Sequence, residues 1–223
     1  TGILLRTSQF VTLRNNHLAG NSVGFWIESS SDSLLKDNTA REGGFGIYFL
    51  FASSRVTLSG NQMSENLFDA HLRGTLDFGG FGHHIDTTNT VGGKSIYYFE
   101  NLADTTIADI PDMGLFHCVA CHNVLLRNVT IDHQNETSFL ILNTTGSHFE
   151  DMTITSGSVG ARLYNSYDNV FTHTNFRNNL IGVLFQTGSA NNLFYQNNFY
   201  DNAFFPAYQV GAGVNIFNRE LPL

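Results

Sequence analysis

A phrase that opens on glycine recurs along the chain at steps of 22 residues: Gly2-Ile-Leu-Leu, Gly24-Phe-Trp-Ile and Gly46-Ile-Tyr-Phe, then Gly160-Ala-Arg-Leu and Gly182-Val-Leu-Phe. Each phrase opens a segment that runs into an Asn-rich turn. A fixed period in this range, with short apolar runs between Gly, Asn and Ser, is the mark of one supersecondary unit stacked on copies of itself.

With each glycine as position zero, the residue at +1 is Ile3, Phe25, Ile47, Ala161 or Val183, and at +3 it is Leu5, Ile27, Phe49, Leu163 or Phe185. Strand side chains alternate with period two, so these columns face inward and +2 and +4 face outward. A second short strand follows at Phe10-Val-Thr-Leu13, Val56-Thr-Leu58 and Asn123-Val-Leu-Leu126. A third lies around Leu18, Met63, Ile131, Ile154, Phe176 and Phe199. Three short strands per coil of about 22 residues predict an all-β fold, a single-stranded parallel β-helix. The crossover rule makes it right-handed. Between the second and third strands stand Asn16, Asn38, Asn61, Asn128, Asn175 and Asn198. Asn tolerates left-handed backbone, and its amide can donate to one coil and accept from another, so stacked Asn ladders are expected.

One domain over residues 1–223 is expected, because a solenoid grows along one axis. Hydrophobic residues make up 42% of the chain and charged ones 13%, which excludes disorder. The net charge of −8, without clustered Lys or Arg, argues against nucleic acid as a partner. No run approaches the roughly 18 apolar residues of a membrane span. Thr1 opens in mid-repeat and Glu220-Leu-Pro-Leu223 stops without a polar cap, so a piece of a longer protein, or one that self-associates, is the expectation.

An irregular insertion at about 74–113 interrupts the period, after Phe68-Asp-Ala-His-Leu72, which still resembles a repeat opening. Gly92-Gly93 lies between two β-rich arms, Thr90-Val91 and Lys94 to Phe99, and reads as a hairpin turn.

Beyond the repeat, His84-Ile-Asp-Thr-Thr-Asn-Thr-Val-Gly-Gly-Lys-Ser-Ile-Tyr-Tyr98, Asp112-Met-Gly-Leu, Cys121-His-Asn-Val-Leu-Leu-Arg-Asn-Val-Thr-Ile131 and Asn215-Ile-Phe-Asn-Arg-Glu-Leu-Pro-Leu223 resemble the NosD-type right-handed β-helix family. The resemblance implies a periplasmic copper-binding protein, within a wider group of carbohydrate-binding and sugar-cleaving β-helices. It supplies no copper motif that maps onto individual residues here.

His117-Cys118-Val-Ala-Cys121-His122 contains the Cys-x-x-Cys-His pattern of c-type haem attachment. Haem needs both thiols presented together, whereas the glycine phase puts Cys118 on a strand and Cys121 in a turn, so covalent haem is not expected. Copper or zinc on His117, Cys118, Cys121 and His122 would be chemically suitable. Structural cysteines, free or disulfide-linked, are the favoured reading, with His117 inward at +3 as a core histidine. In His83-His84-x-Asp86, adjacent strand residues point oppositely, so a shared metal site is not expected. The acids Asp69, Asp77, Asp86, Asp132, Asp151 and Asp168 are scattered, and Asp132-His133 with Arg162 is the sole weak pairing, so catalysis is not inferred. Asn128, Asn135 and Asn143 head glycosylation sequons, with Asn135 in the most polar loop.

The outward +2 column should be polar, yet it reads Leu4, Trp26, Tyr48, Phe116, Arg162 and Leu184. An apolar strip of this kind marks a contact surface. Trp26, Tyr48 and Phe116 are the candidate binding residues, covered either by stacked sugar rings or by protein. Protein is favoured, because Tyr97, Tyr98 and Phe99 of the insertion need a surface to pack on. The sequence thus predicts an exported, periplasmic or cell-surface β-helix with a binding or structural role. A polysaccharide-binding or polysaccharide-cleaving module is the first alternative, and a copper-binding accessory protein the second.

Overall fold

The computed structural model describes residues 1–50, 52–72 and 80–218. Every regular element among them is a β-strand, and the strands stack in parallel from coil to coil, with an antiparallel hairpin at Thr90–Val91 and Lys94–Glu100. The chain is a parallel β-helix of about 22-residue coils. It divides into two compact units, Thr1–Tyr98 with Gln134–Glu136, and Phe99–His133 with Thr137–Leu223.

In the first unit the opening strands Ile3–Arg6, Val23–Glu28, Phe45–Leu50 and Phe68–His71 form one sheet. Their register sets Ile3 against Phe25, Phe25 against Ile47, and Ile47 against Ala70, as the glycine phase requires. Phe25, Ile27, Ile47 and Phe49 are buried, while Ile3 in the first coil is half-buried. The second strands stack Leu13, Leu35, Leu58 and Ile85, and the third stack Leu18, Ala40, Met63 and Val91.

The second unit repeats the plan with aromatic columns. Leu126, Phe149, Phe171, Phe194 and Phe217 follow one another on the second strands, and Ile131, Ile154, Phe176 and Phe199 on the third. Phe171 and Phe194 lie face to face, with ring centroids 4.4 Å apart. Each fully buried Phe contributes roughly 1.5–3 kcal/mol by transfer.

The 22-residue glycine has a steric cause. A Cβ on Gly24 would come within 2.5 Å of the Gly46 carbonyl oxygen, and one on Gly160 within 2.6 Å of that of Gly182. At these coils a bare position zero lets the carbonyl of the following coil approach this closely. Asp69 and Pro206 hold it in the last described opening strand of each unit. Leu115 and Ser138 also hold it, and there the glycine phase misleads. Taking Gly114 as position zero places Phe116 outward and His117 inward, but Phe116 pairs with Phe139 and His117 with Leu140. Phe116 thus joins the inward column, stacked on Phe139 at 5.2 Å. A slip of one residue exchanges the two faces of a strand.

Coils turn through single residues in the left-handed region, among them Asn15, Asp37, Ala120, Asn143, Asn165 and Asn178. This conformation costs most residues about 1–2 kcal/mol and Asn and Asp less, which explains the composition of the corners. Asn16, Asn38, Asn61 and Asn89 form a ladder, each Nδ2 donating to the Oδ1 of the next at 2.9, 2.8 and 2.8 Å. A second ladder runs through Asn169, Asn192 and Asn215. The other expected members stand elsewhere. Asn128 lies in the strand His122–Asp132 and donates to Asp109, and Asn198 bonds Asn175 on exposed third strands.

Residues 74–79 of the expected insertion lie outside the described residues. The part beyond returns to the stack: His84–Ile85 pairs with Thr57–Ser59, and Thr90–Val91 with Gln62–Ser64. Thr90–Val91 then turns through Gly92 and Gly93, at φ 55° and 79°, and pairs antiparallel with Lys94–Glu100, the hairpin read from the sequence.

Candidate functional site

The outward face of the first unit's opening strands is aromatic. Leu4, Trp26, Tyr48 and His71 are in register on successive coils. Trp26 meets Tyr48 edge-on at 5.7 Å, Tyr48 stacks on His71 at 4.5 Å, and Phe45 packs against Tyr48 at 4.9 Å. Such contacts are worth about 0.5–1.5 kcal/mol each beyond burial. Trp26 and Tyr48 remain half-buried, and Leu4 is 43% exposed. The indole Nε1 of Trp26 is buried with no hydrogen-bond partner among the described residues, so the exposed part of its ring is hydrocarbon. Arg6 and Glu28, two residues further along the strands, pair at 3.0 Å. At the other end of the column His71 Nδ1 lies 3.8 Å from Glu136 Oε2. His71 and Glu136 escaped the sequence reading. His71 could have been found by extending the +2 column one coil, whereas Glu136 reaches this face from a distant part of the chain.

Phe116, the third candidate, is fully buried in the second unit and does not belong to this surface. The sequence expects protein cover of this strip from Tyr97, Tyr98 and Phe99 of the insertion. Tyr98 packs toward His83, with centroids 6.2 Å apart, and Phe99 toward Phe116 at 6.0 Å.

Cys118 and Cys121 are joined in a disulfide. The expectation that strand and turn separate their directions is overturned. Ala120, at φ 52°, turns the corner that Asn143 and Asn165 turn in later coils, and brings both sulphurs inside. His117 occupies the outward column yet is buried, with Nε2 3.4 Å from the Thr137 carbonyl. Beside it the buried Arg162 donates from Nε to Thr137 Oγ1 at 3.2 Å and from Nη1 to Gln186 Oε1 at 2.7 Å. His122 is exposed. The four candidate ligands therefore do not converge. With both sulphurs in the disulfide there is no thiolate to bind copper or to form haem thioethers, and no group of three or more His, Cys, Asp or Glu among the described residues could hold a metal. These residues do not fit a copper ion.

His83 is buried and His84 exposed, the opposite directions expected of neighbours. His83 Nδ1 accepts the Val56 N–H at 3.3 Å. Asp86 accepts from the Thr88 N–H at 3.0 Å and from Asn89 Nδ2 at 3.1 Å. Burial opposes its charge, but the hydroxyls of Thr88 and Ser59, the Thr88 N–H and nearby His84 prevail and hold its carboxyl below the usual range. Asp132 accepts from Ser156 Oγ at 2.8 Å. Of the sequons, Asn128 and Asn143 are exposed, but Asn135 is fully buried, so the site favoured from the sequence cannot accept a glycan in the folded chain.

No helix among the described residues is long and apolar enough to cross a membrane. No curated protein matches the chain. Among solved structures, the A-module of Azotobacter vinelandii mannuronan C-5 epimerase AlgE4 is similar at 12% identity and a TM-score of 0.34, over 95% of this chain and 57% of that one. The AlgE6 A-module from the same organism is similar at 13% identity and a TM-score of 0.35, over 92% of this chain and 58% of that one. The chain thus spans less than two thirds of either module. The family model described as "Periplasmic copper-binding protein (NosD)" matches residues 1–94 and 78–221, and the chain belongs to the NosD family.

Proposed function

We propose that this chain is an exported β-helix with a binding role, and that its binding surface is the outward face built by Trp26 and Tyr48, which takes a saccharide chain. The observation that carries this reading is the registered column Leu4, Trp26, Tyr48 and His71, whose Trp ring offers hydrocarbon to solvent beside the Arg6–Glu28 pair. Sugar rings present flat C–H faces that stack on such a surface, while their hydroxyls engage the flanking polar groups. Export is supported by the family description and by the disulfide, which persists in oxidising compartments. Trp26 is the one tryptophan, so its fluorescence reports this face alone. Emission should shift on titration with soluble oligosaccharides, and Trp26→Ala should abolish binding measured by calorimetry. A spectrum unmoved across acidic, neutral and basic oligosaccharides would reject the reading.

Self-association is a second reading, favoured by the last described coil. Phe204, Phe205, Tyr208 and Val214 are all exposed there, an apolar patch of the kind that marks contact surfaces. Light scattering across a concentration series tests it, and a monomer at every concentration would exclude it.

A further inference from the structure

The third strands of the first unit carry a polar hollow on a different sheet from the aromatic column. It is open to solvent, has a volume of about 350 Å³ and is lined by His17, Thr39, Arg41, Gln62 and Ser64. His17, Thr39 and Gln62 are in register on the successive strands His17–Ala19, Thr39–Arg41 and Gln62–Ser64, and Ala19, Arg41 and Ser64 form the parallel column two residues on. Coils repeat at about 4.8 Å, so side chains in a column are close neighbours. Ala19 and Ser64, its neighbours in that column, are short, so Arg41 is the one long side chain there. In the other column stand an imidazole, a hydroxyl and a carboxamide. His17 Nδ1 and Thr39 Oγ1 are 2.9 Å apart and fix that wall.

The strand Thr39–Arg41 pairs on both sides in the parallel ladder, so recognition around Arg41 falls to side chains. Arg41 pairs with Glu42 at 3.6 Å, with side chains 59% and 53% exposed. An exposed pair of this kind is worth at most about 1 kcal/mol. An incoming carboxylate that meets the guanidinium with two parallel hydrogen bonds competes well with it. The volume lies at the small end of ligand-binding cavities, and no Phe, Tyr or Trp is among its lining residues.

We infer that this hollow is a second, independent ligand site that takes an acidic sugar, its oxyanion held by Arg41 and its hydroxyls by Thr39, Gln62 and Ser64. The test titrates the whole chain with glucuronate, glucose and inorganic sulfate while amide resonances are followed by NMR. Glucuronate should move the resonances of Thr39, Gln62 and Ser64, with glucose and sulfate each at least tenfold weaker. Arg41→Met should weaken glucuronate at least tenfold without changing the melting temperature. Arg177→Met, which removes an arginine from the second unit, and Trp26→Ala should leave it unchanged, so this site and the aromatic face fail or stand separately. Glucuronate affinity within twofold of wild type in Arg41→Met would overturn the inference. So would sulfate binding as tightly as glucuronate, which would make the hollow a cationic patch that does not read sugar.

Discussion

The backbone N–H of Cys121 donates to Thr144 Oγ1 at 3.4 Å, continuing a line in which Thr144 N–H donates to Ser166 Oγ and Ser166 N–H to Ser189 Oγ, each at 3.2 Å. Cys121 thus stands where later coils carry a hydroxyl, and Cys118 stands in the inward column of Ile141, Leu163 and Phe185. In the later coils the hydroxyl also donates back across the corner, Ser166 Oγ to the Tyr164 carbonyl at 3.0 Å. In the Cys121 coil a covalent bond closes the corner instead.

Reduction should therefore loosen the corner without unfolding the chain. The closed loop is short, so the chain-entropy contribution is roughly 2 kcal/mol. A Cys118→Val, Cys121→Ser variant should fold, restore a hydroxyl at the corner and lose no more than that amount in urea unfolding. Wild type unfolded without reductant should show no reactive thiol, and two would refute the pairing.

Asn61 accepts from the Asn38 backbone and side chain and donates to the Leu35 carbonyl and to Asn89. Asn61→Leu strands several buried groups at once, each costing about 1–3 kcal/mol, so a loss of at least about 2 kcal/mol is expected. Asn198→Ala removes one exposed bond, to Asn175, and should stay within about 0.5 kcal/mol of wild type. Equal effects in denaturant titrations would mean that the ladder is decorative.

Gly160→Ala should destabilise by about 1–3 kcal/mol through overpacking against the Gly182 carbonyl. Gly20, at φ 67° with open space where a Cβ would stand, meets no such carbonyl. Thermal unfolding of Gly160→Ala checks the steric origin of the repeat, and an unchanged melting temperature would remove it.

Asp86 has a lowered folded pKa, so the unfolded chain binds more protons in the acid range and the carboxylate stabilises the fold as pH rises. This contribution is fully present above the ordinary Asp value, about 3.9, and is lost as pH falls through the lowered folded value. The stability difference between wild type and Asp86→Ala should hold from pH 7 down to about 4 and shrink below it. A difference that grows on acidification would reverse the sign.

The period, the inward columns, the three strands per coil and the Gly92-Gly93 hairpin were all legible in the sequence, because each rests on local chemistry. A bare Cα where carbonyls approach, alternation along a strand and positive φ at a tight turn leave their residues in the chain. The coil of Phe116 and His117 was misread because Leu115 and Ser138 stand where glycine marks the phase elsewhere, and its register is visible only in the pairing with Thr137–Leu142. Likewise the direction of Cys121 depends on a single left-handed alanine, Ala120, which no local preference announces. The burial of Asn135, the approach of Glu136 to His71 and the hollow around Arg41 bring together residues that are far apart in sequence. Repetition along a solenoid writes its rules into every coil, whereas what a face can bind depends on which side chains neighbouring coils set side by side, and only the tertiary structure decides that.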